Sequence, residues 1–190
     1  MTKRKLIIGA VIVGAPVLAL GWWLGSPLLF DTEVSEEFPM SAGAVVPDDM
    51  TQEDVEVEIV GAAGEPDAEI DEDMPASSAI ALVSGEFEDL DNFHNGSGTA
   101  NVYRIEDGSL VLRIEDLEVT NGPDLHVLLV PDADPKGRDD VTGYVDLGEL
   151  KGNIGDQNYD IPSGIDIADY GSVVIYCQPF HVIFSVAALG

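Results

Sequence analysis

The chain has little cysteine, histidine or positive charge. Cys177 is the single cysteine in 190 residues. An intramolecular disulfide and a four-cysteine zinc site are therefore excluded. Three histidines, His94, His126 and His181, are too few for a histidine-rich metal centre. Only 8 Lys and Arg stand against 36 Asp and Glu, giving a formal net charge of -28. Nucleic-acid binding needs clustered bases to neutralise phosphates, so that class is excluded. The catalytic signatures are missing too. There is no phosphate loop, no Gly-x-Ser-x-Gly elbow and no His-Glu-x-x-His. No hydrolase or transferase motif stands out, and the reading leans away from an enzyme. Hydrophobic residues make up 45% of the chain, too many for a wholly disordered acidic tail.

What is present comes in blocks. Lys3, Arg4 and Lys5 are followed by 25 uncharged residues, Leu6 to Phe30. Crossing a bilayer core takes about 20 apolar residues. Residues 1–30 therefore read as a basic tip and a transmembrane signal anchor, with residues 6–30 in the membrane. Trp22 and Trp23 sit near its outer end, and the basic tip places the N-terminus in the cytoplasm. The C-terminal remainder is then extracytoplasmic, in a single-pass cell-membrane protein. A cleaved signal peptide is the competing reading, but its apolar region should be shorter, about 7 to 15 residues.

Residues 31–80 carry 16 acids and no Lys or Arg. They read as an acidic, disordered spacer that repels itself and holds the domain off the membrane. One short strand is expected around Val55, Val57 and Ile59, and the run Glu65 to Asp73 reads as an extended polyanionic stalk ahead of the alternative, a weak divalent-cation site.

Residues 81–190 have apolar residues at period two, the strand period. Asn101 to Ile105 and Leu110 to Ile114 flank Asp107-Gly108, a hairpin signal. Leu125 to Val130 is nearly continuous, as in a buried strand. Tyr144 to Leu150, Ser172 to Tyr176 and His181 to Ala187 complete the set. Turn signals fall at Asn121-Gly122-Pro123, Pro135-Lys136-Gly137 and Pro162-Ser163-Gly164. Short strands between such turns predict one all-β domain, a β-sandwich or barrel.

Four stretches of this region resemble the DM-thirteen domain family, described as an electron-transfer domain. The first is Gly85-Glu86-Phe87, then His94 and Ser97-Gly98. The second is Asn121-Gly122-Pro123-Asp124-Leu125-His126-Val127. The third runs from Leu147 through Lys151-Gly152, Gly155 and Gln157 to Tyr159, then Ile161-Pro162 and Asp166. The fourth is Val173 to Cys177, then Gln178 to Phe184 and Ala187. The resemblance implies a β-sandwich related in style to DOMON domains, and a redox role with a partner protein. It also implies that Cys177 is a redox thiol or a ligand to haem or a metal ion.

His94 and His181 are the candidate co-ligands of Cys177. His181 lies four residues beyond the cysteine, across a tight turn, where it can lower the thiol pKa or share a metal. The alternative is that Cys177 is a small buried hydrophobe in a non-catalytic cell-surface binding or adhesion module. His126 reads as a strand histidine, and Asp124 as a turn residue. Asp132, Asp134, Asp139 and Asp140 cluster in one loop with weak promise for calcium. The acidity itself suits a halophilic host, where salt screens self-repulsion.

Overall fold

The computed structural model describes residues 15–26, 30–39 and 79–190. Residues 15–25 are helical. Among the described residues no helix is long and apolar enough to cross a membrane. The rest of the expected span, residues 6–14 and 27–29, lies outside them. So do the strand expected around Val57 and the acidic run from Glu65 to Asp73.

Among the described residues nine strands follow: β1 (Glu33–Ser35), β2 (Ile80–Asp89), β3 (Gly96–Arg104), β4 (Leu110–Val119), β5 (Leu125–Val130), β6 (Val145–Glu149), β7 (Ile154–Ile161), β8 (Ser172–Cys177) and β9 (Val182–Ala188). The all-β expectation holds. Two separate sheets do not form, however. The strands make one sheet in the order β1-β7-β4-β3-β2-β9-β8-β5-β6. β2 joins the halves. Ile80 to Glu86 pair with β3, and Phe87 to Asp89 pair with β9. The sheet curls, so both halves feed one core that includes Leu112, Ile114, Val127, Leu129, Val173 and Ile175.

The local signals account for the strands. Asp107 accepts from the Ser109 amide at 2.8 Å, and Gly108 takes φ 85, closing the predicted β3–β4 hairpin. β5 and β8 are buried on both faces, so their sequences lack alternation. Leu128, Val130, Val174 and Tyr176 form a second cluster behind the sheet, with Val141 from the β5–β6 connection.

The expected spacer does not begin at Asp31. Residues 30–39 form a strap along the domain, with β1 parallel to β7. Arg113 is 3% exposed and donates to the Glu36 carbonyl at 2.6 Å. Lys151 Nζ meets both Glu36 carboxylate oxygens at 2.8 Å. The Asn158 amide donates to Glu36 Oε2 at 2.7 Å. Gly155 has φ +98, and a Cβ there would strike the Val34 carbonyl, so the strap can lie close only against glycine. Phe38 then packs edge-on against Tyr103, with ring centroids 5.0 Å apart. Ala79 joins the same small cluster. The described stretches that end at residue 39 and begin at residue 79 therefore meet at one place.

Candidate functional site

The strand ends opposite Tyr103 carry most of the residues singled out by sequence. Here the loop before β5, the β8–β9 turn and the β2–β3 loop come together. Cys177 closes β8, paired with Leu125 of β5 and Val182 of β9. It is a free cysteine, 1% exposed, within the main core. Its Sγ donates to the Pro123 carbonyl at 3.2 Å. Burial raises the thiol pKa, the nearby Asp124 carboxylate raises it further, and the Phe180 backbone opposes them. A thiolate is therefore disfavoured, the reverse of what a reactive cysteine needs.

The two candidate co-ligands are engaged elsewhere. His181 has φ 56 and is exposed. Its Nδ1 lies 3.4 Å from the hydroxyl of Tyr176. Tyr176 and Cys177 are neighbours in one strand, so their side chains take opposite faces. Tyr176 belongs to the cluster behind the sheet, and Cys177 to the main core. His94 has its Nδ1 2.9 Å from Asp91 Oδ2 and its ring edge-on to Phe184 at 4.5 Å. That contact and two amide bonds hold the Asp91 carboxyl down at about 2. Phe184 in turn covers Gly122, where any Cβ would meet its ring carbon at 2.7 Å. The structure does not gather Cys177, His94 and His181 into one ligand set. A haem or metal held by the three does not fit this arrangement, because the thiol faces a carbonyl inside an apolar core.

Asp132, Asp134, Asp139 and Asp140 are all exposed. Their carboxylates hold the loop itself. Asp132 accepts from the Asp134 amide at 3.0 Å, and Asp140 from the amides of Lys136 and Gly137 at 3.0 Å. Asp134 pairs with Lys136.

The third sequence stretch proves to be a closed hydrogen-bonded loop. Gln157 is fully buried, and its Oε1 accepts from the amides of Lys151 at 3.1 Å and Gly152 at 3.2 Å. Its Nε2 donates to the Gly152 carbonyl at 2.7 Å, and the Tyr159 hydroxyl donates to Oε1 at 2.8 Å. Burial pushes the Tyr159 phenol up to about 12. Lys151, Gly152, Gln157 and Tyr159 together complete one turn.

Outside the sequence candidates, a polar group lies on the other face of β5. One ligating atom each from Asp124, His126 and Glu149 lies within 4.8 Å of the others. It is the one such group of three or more among the described residues. His126 Nδ1 is 3.0 Å from both Asp146 oxygens, and Nε2 is 3.4 Å from Asp124 Oδ1. Asp124 and Glu149 also line a cleft of about 350 Å³, bordered by Asn121, Lys151, Asn153, Phe30 and Trp23. Asp124 and His126 had been assigned structural roles, and Asp146 and Glu149 stood out in nothing. Their signal was the i, i+2 spacing of Asp124 and His126, which puts both on one face. The partner strand β6 is fixed only by tertiary pairing, His126 opposite Glu149.

The geometry thus defines an all-β domain with a closed, cysteine-containing core and polar loops at one end. A family model for electron transfer DM13 matches residues 86–189. The chain belongs to that family. No curated protein and no solved structure matches it.

Proposed function

We propose that this chain is a membrane-anchored, extracytoplasmic domain with a redox role, exchanging electrons with a partner protein. The family match carries this reading, since it covers β3 to β9 whole and the end of β2. The curled all-β sheet supports a fold related in style to DOMON domains. Residues 6–30 serve as the single-pass anchor, with Lys3, Arg4 and Lys5 inside. The path of the chain supports an orientation. The Phe30 carbonyl accepts from Asn121 Nδ2 at 2.8 Å, so the anchor joins the domain at its Cys177 end. Phe93 is 80% exposed and Phe180 59% exposed, in the two loops at that end. Aromatic rings of this kind favour a bilayer surface. The electron partner is then a membrane or membrane-surface protein, and Cys177 is the redox group. The acidic surface serves a saline exterior.

The buried, carbonyl-bonded thiol favours a second reading, a binding or adhesion module with Cys177 as core packing. An absorption spectrum of the full chain, with haem supplied, separates the two when recorded as isolated and after dithionite. Thiol titration of the native protein accompanies it. A redox-shifted band, or a native thiol that oxidises and re-reduces reversibly, supports the redox role. A featureless spectrum with a thiol inert until unfolding leaves the binding module.

A further inference from the structure

We propose that Asp124, His126 and Glu149 bind a divalent first-row transition-metal ion, with Asp146 holding the histidine from behind. Spacing is the first argument. Ligand bonds of about 2.0–2.2 Å place neighbouring tetrahedral ligands about 3.3–3.6 Å apart. His126 Nε2 and Asp124 Oδ1 stand 3.4 Å apart. That is long for a charge-assisted hydrogen bond, which closes to about 2.7–2.9 Å. It suits two ligands on one ion. Glu149 completes a triangle no wider than 4.8 Å, which small rotations of an exposed side chain close.

The second argument is the other ring nitrogen. His126 Nδ1 faces the Asp146 carboxylate at 3.0 Å. A carboxylate there fixes the tautomer and puts the Nε2 lone pair toward Asp124 and Glu149. Asp146 is itself held by the Gly148 amide at 2.9 Å and Gln178 Nε2 at 3.4 Å. Asp124 is held by its φ of 54 and by its carbonyl, which accepts from the Gln178 amide at 3.1 Å. Ligands on braced backbone lose less freedom on binding.

The donor set selects the ion. An imidazole with two carboxylates suits zinc, copper or iron better than calcium or magnesium, which prefer oxygen alone. Because Asp124 and Glu149 line the cleft, the remaining coordination positions open to it. They leave room for water or a small oxygen-donor ligand. The site stands apart from the redox reading, and its test reads binding alone.

The experiment is a calorimetric titration of the metal-stripped full chain with Zn²⁺ at pH 7. Excess Ca²⁺ is present to fill oxygen-only sites along the acidic chain. One Zn²⁺ per chain is expected. His126→Ala should abolish it, and Asp146→Asn should weaken it about 10–100-fold. Asp134→Asn, in the other acidic loop, should leave it unchanged. Affinity should fall on acidification as protons compete for the imidazole. Nitrogen-15 spectra should show Zn²⁺ shifting Nε2 while Nδ1 stays protonated. Should His126→Ala unfold, Glu149→Gln on the exposed strand edge gives the same reading. Absence of Zn²⁺ binding, or binding as tight in the His126 or Glu149 variant as in the parent, overturns the site.

Discussion

The two halves of the curled sheet are stabilised by different chemistry. The half containing β5, β8 and β9 is dry. Val127, Leu128, Leu129, Val173, Val174 and Ile175 are all fully buried, and the sheet has apolar clusters on both faces. The half containing β1, β7 and β4 is tied by polar groups. Arg113, Asn153 and Gln157 are buried there, and the strap reaches them through Glu36, Thr32 and Asp31. Burial of apolar area is indifferent to pH and nearly so to salt, whereas charge pairs respond to both. One domain thus carries a constant half and a condition-dependent half.

The largest effect should come from the dry half. Ile175 is fully buried in β8, between β5 and β9. Ile175→Ala removes three carbons from a site with no room to collapse, and should cost about 4 kcal/mol. Urea denaturation at pH 7 measures it, and the loss should be the same in low and high salt. A loss that shrinks in salt would break the division between halves.

Arg113→Ala should follow, at about 3 kcal/mol. Removing one partner of a buried ion pair leaves the other without compensation. Arg113 NH2 lies 3.1 Å from Asp156, whose side chain is partly exposed, so the lower end of the range applies. The strap should loosen with it, because the Glu36 carbonyl loses its donor. Hydrogen exchange at Val34 and Glu36 should accelerate, while Val127 and Ile175 stay protected. Equal acceleration in both places would show that the halves unfold as one.

Much of the dry half was legible in sequence. Continuous Val, Ile and Leu runs mark strands buried on both faces, and Asn121-Gly122-Pro123 marks the turn into β5. The strap was not legible. Its bonds join residues far apart in sequence, 121 positions for Thr32 to Asn153 and 77 for Glu36 to Arg113, and Glu33-Val34-Ser35 is too short to show a period. Hence the tie to Arg113 was missed, and an acidic run was read as continuous spacer. The candidate site failed to appear for a related reason. Rarity drew attention to Cys177, but a lone cysteine on an apolar strand says nothing of which face it takes. The inner face buried it, and the opposite face of β5 gathered Asp124 and His126 with Glu149 from a strand that only pairing brings near.

Cys177→Ala should cost about 1 kcal/mol, the loss of a small buried group and a weak S–H donor. The bond to Pro123 adds little. Thermal unfolding checks the size, and the rate of thiol labelling checks the mechanism. Labelling of the native parent should slow in parallel with added stability, because the thiol is reached only through opening. Fast labelling independent of stability would instead mean that the turn after β8 exposes it locally.

The smallest effect should be the pH response of the strap. Burial alone would raise the Glu36 pKa. The Lys151 hydrogen bond and the Asn158 amide, with Lys151 and Arg113 charges, outweigh it and set the carboxyl below its ordinary 4.5. A carboxyl with a folded pKa below its unfolded one contributes stability that is full above pH 4.5. That contribution is lost as pH falls through the lowered folded value. Glu36→Gln should therefore lower the melting temperature slightly at pH 7, and the gap to the parent should close as pH falls below 4.5. Salt should narrow the gap at pH 7 as well, since Lys151 and Glu36 are both partly solvent-exposed. The same pH scan on Ile175→Ala should show a constant gap, because an alkyl group has no proton to exchange. If both gaps closed together, the acid sensitivity would belong to the whole chain, with its net charge of -28, and not to the strap.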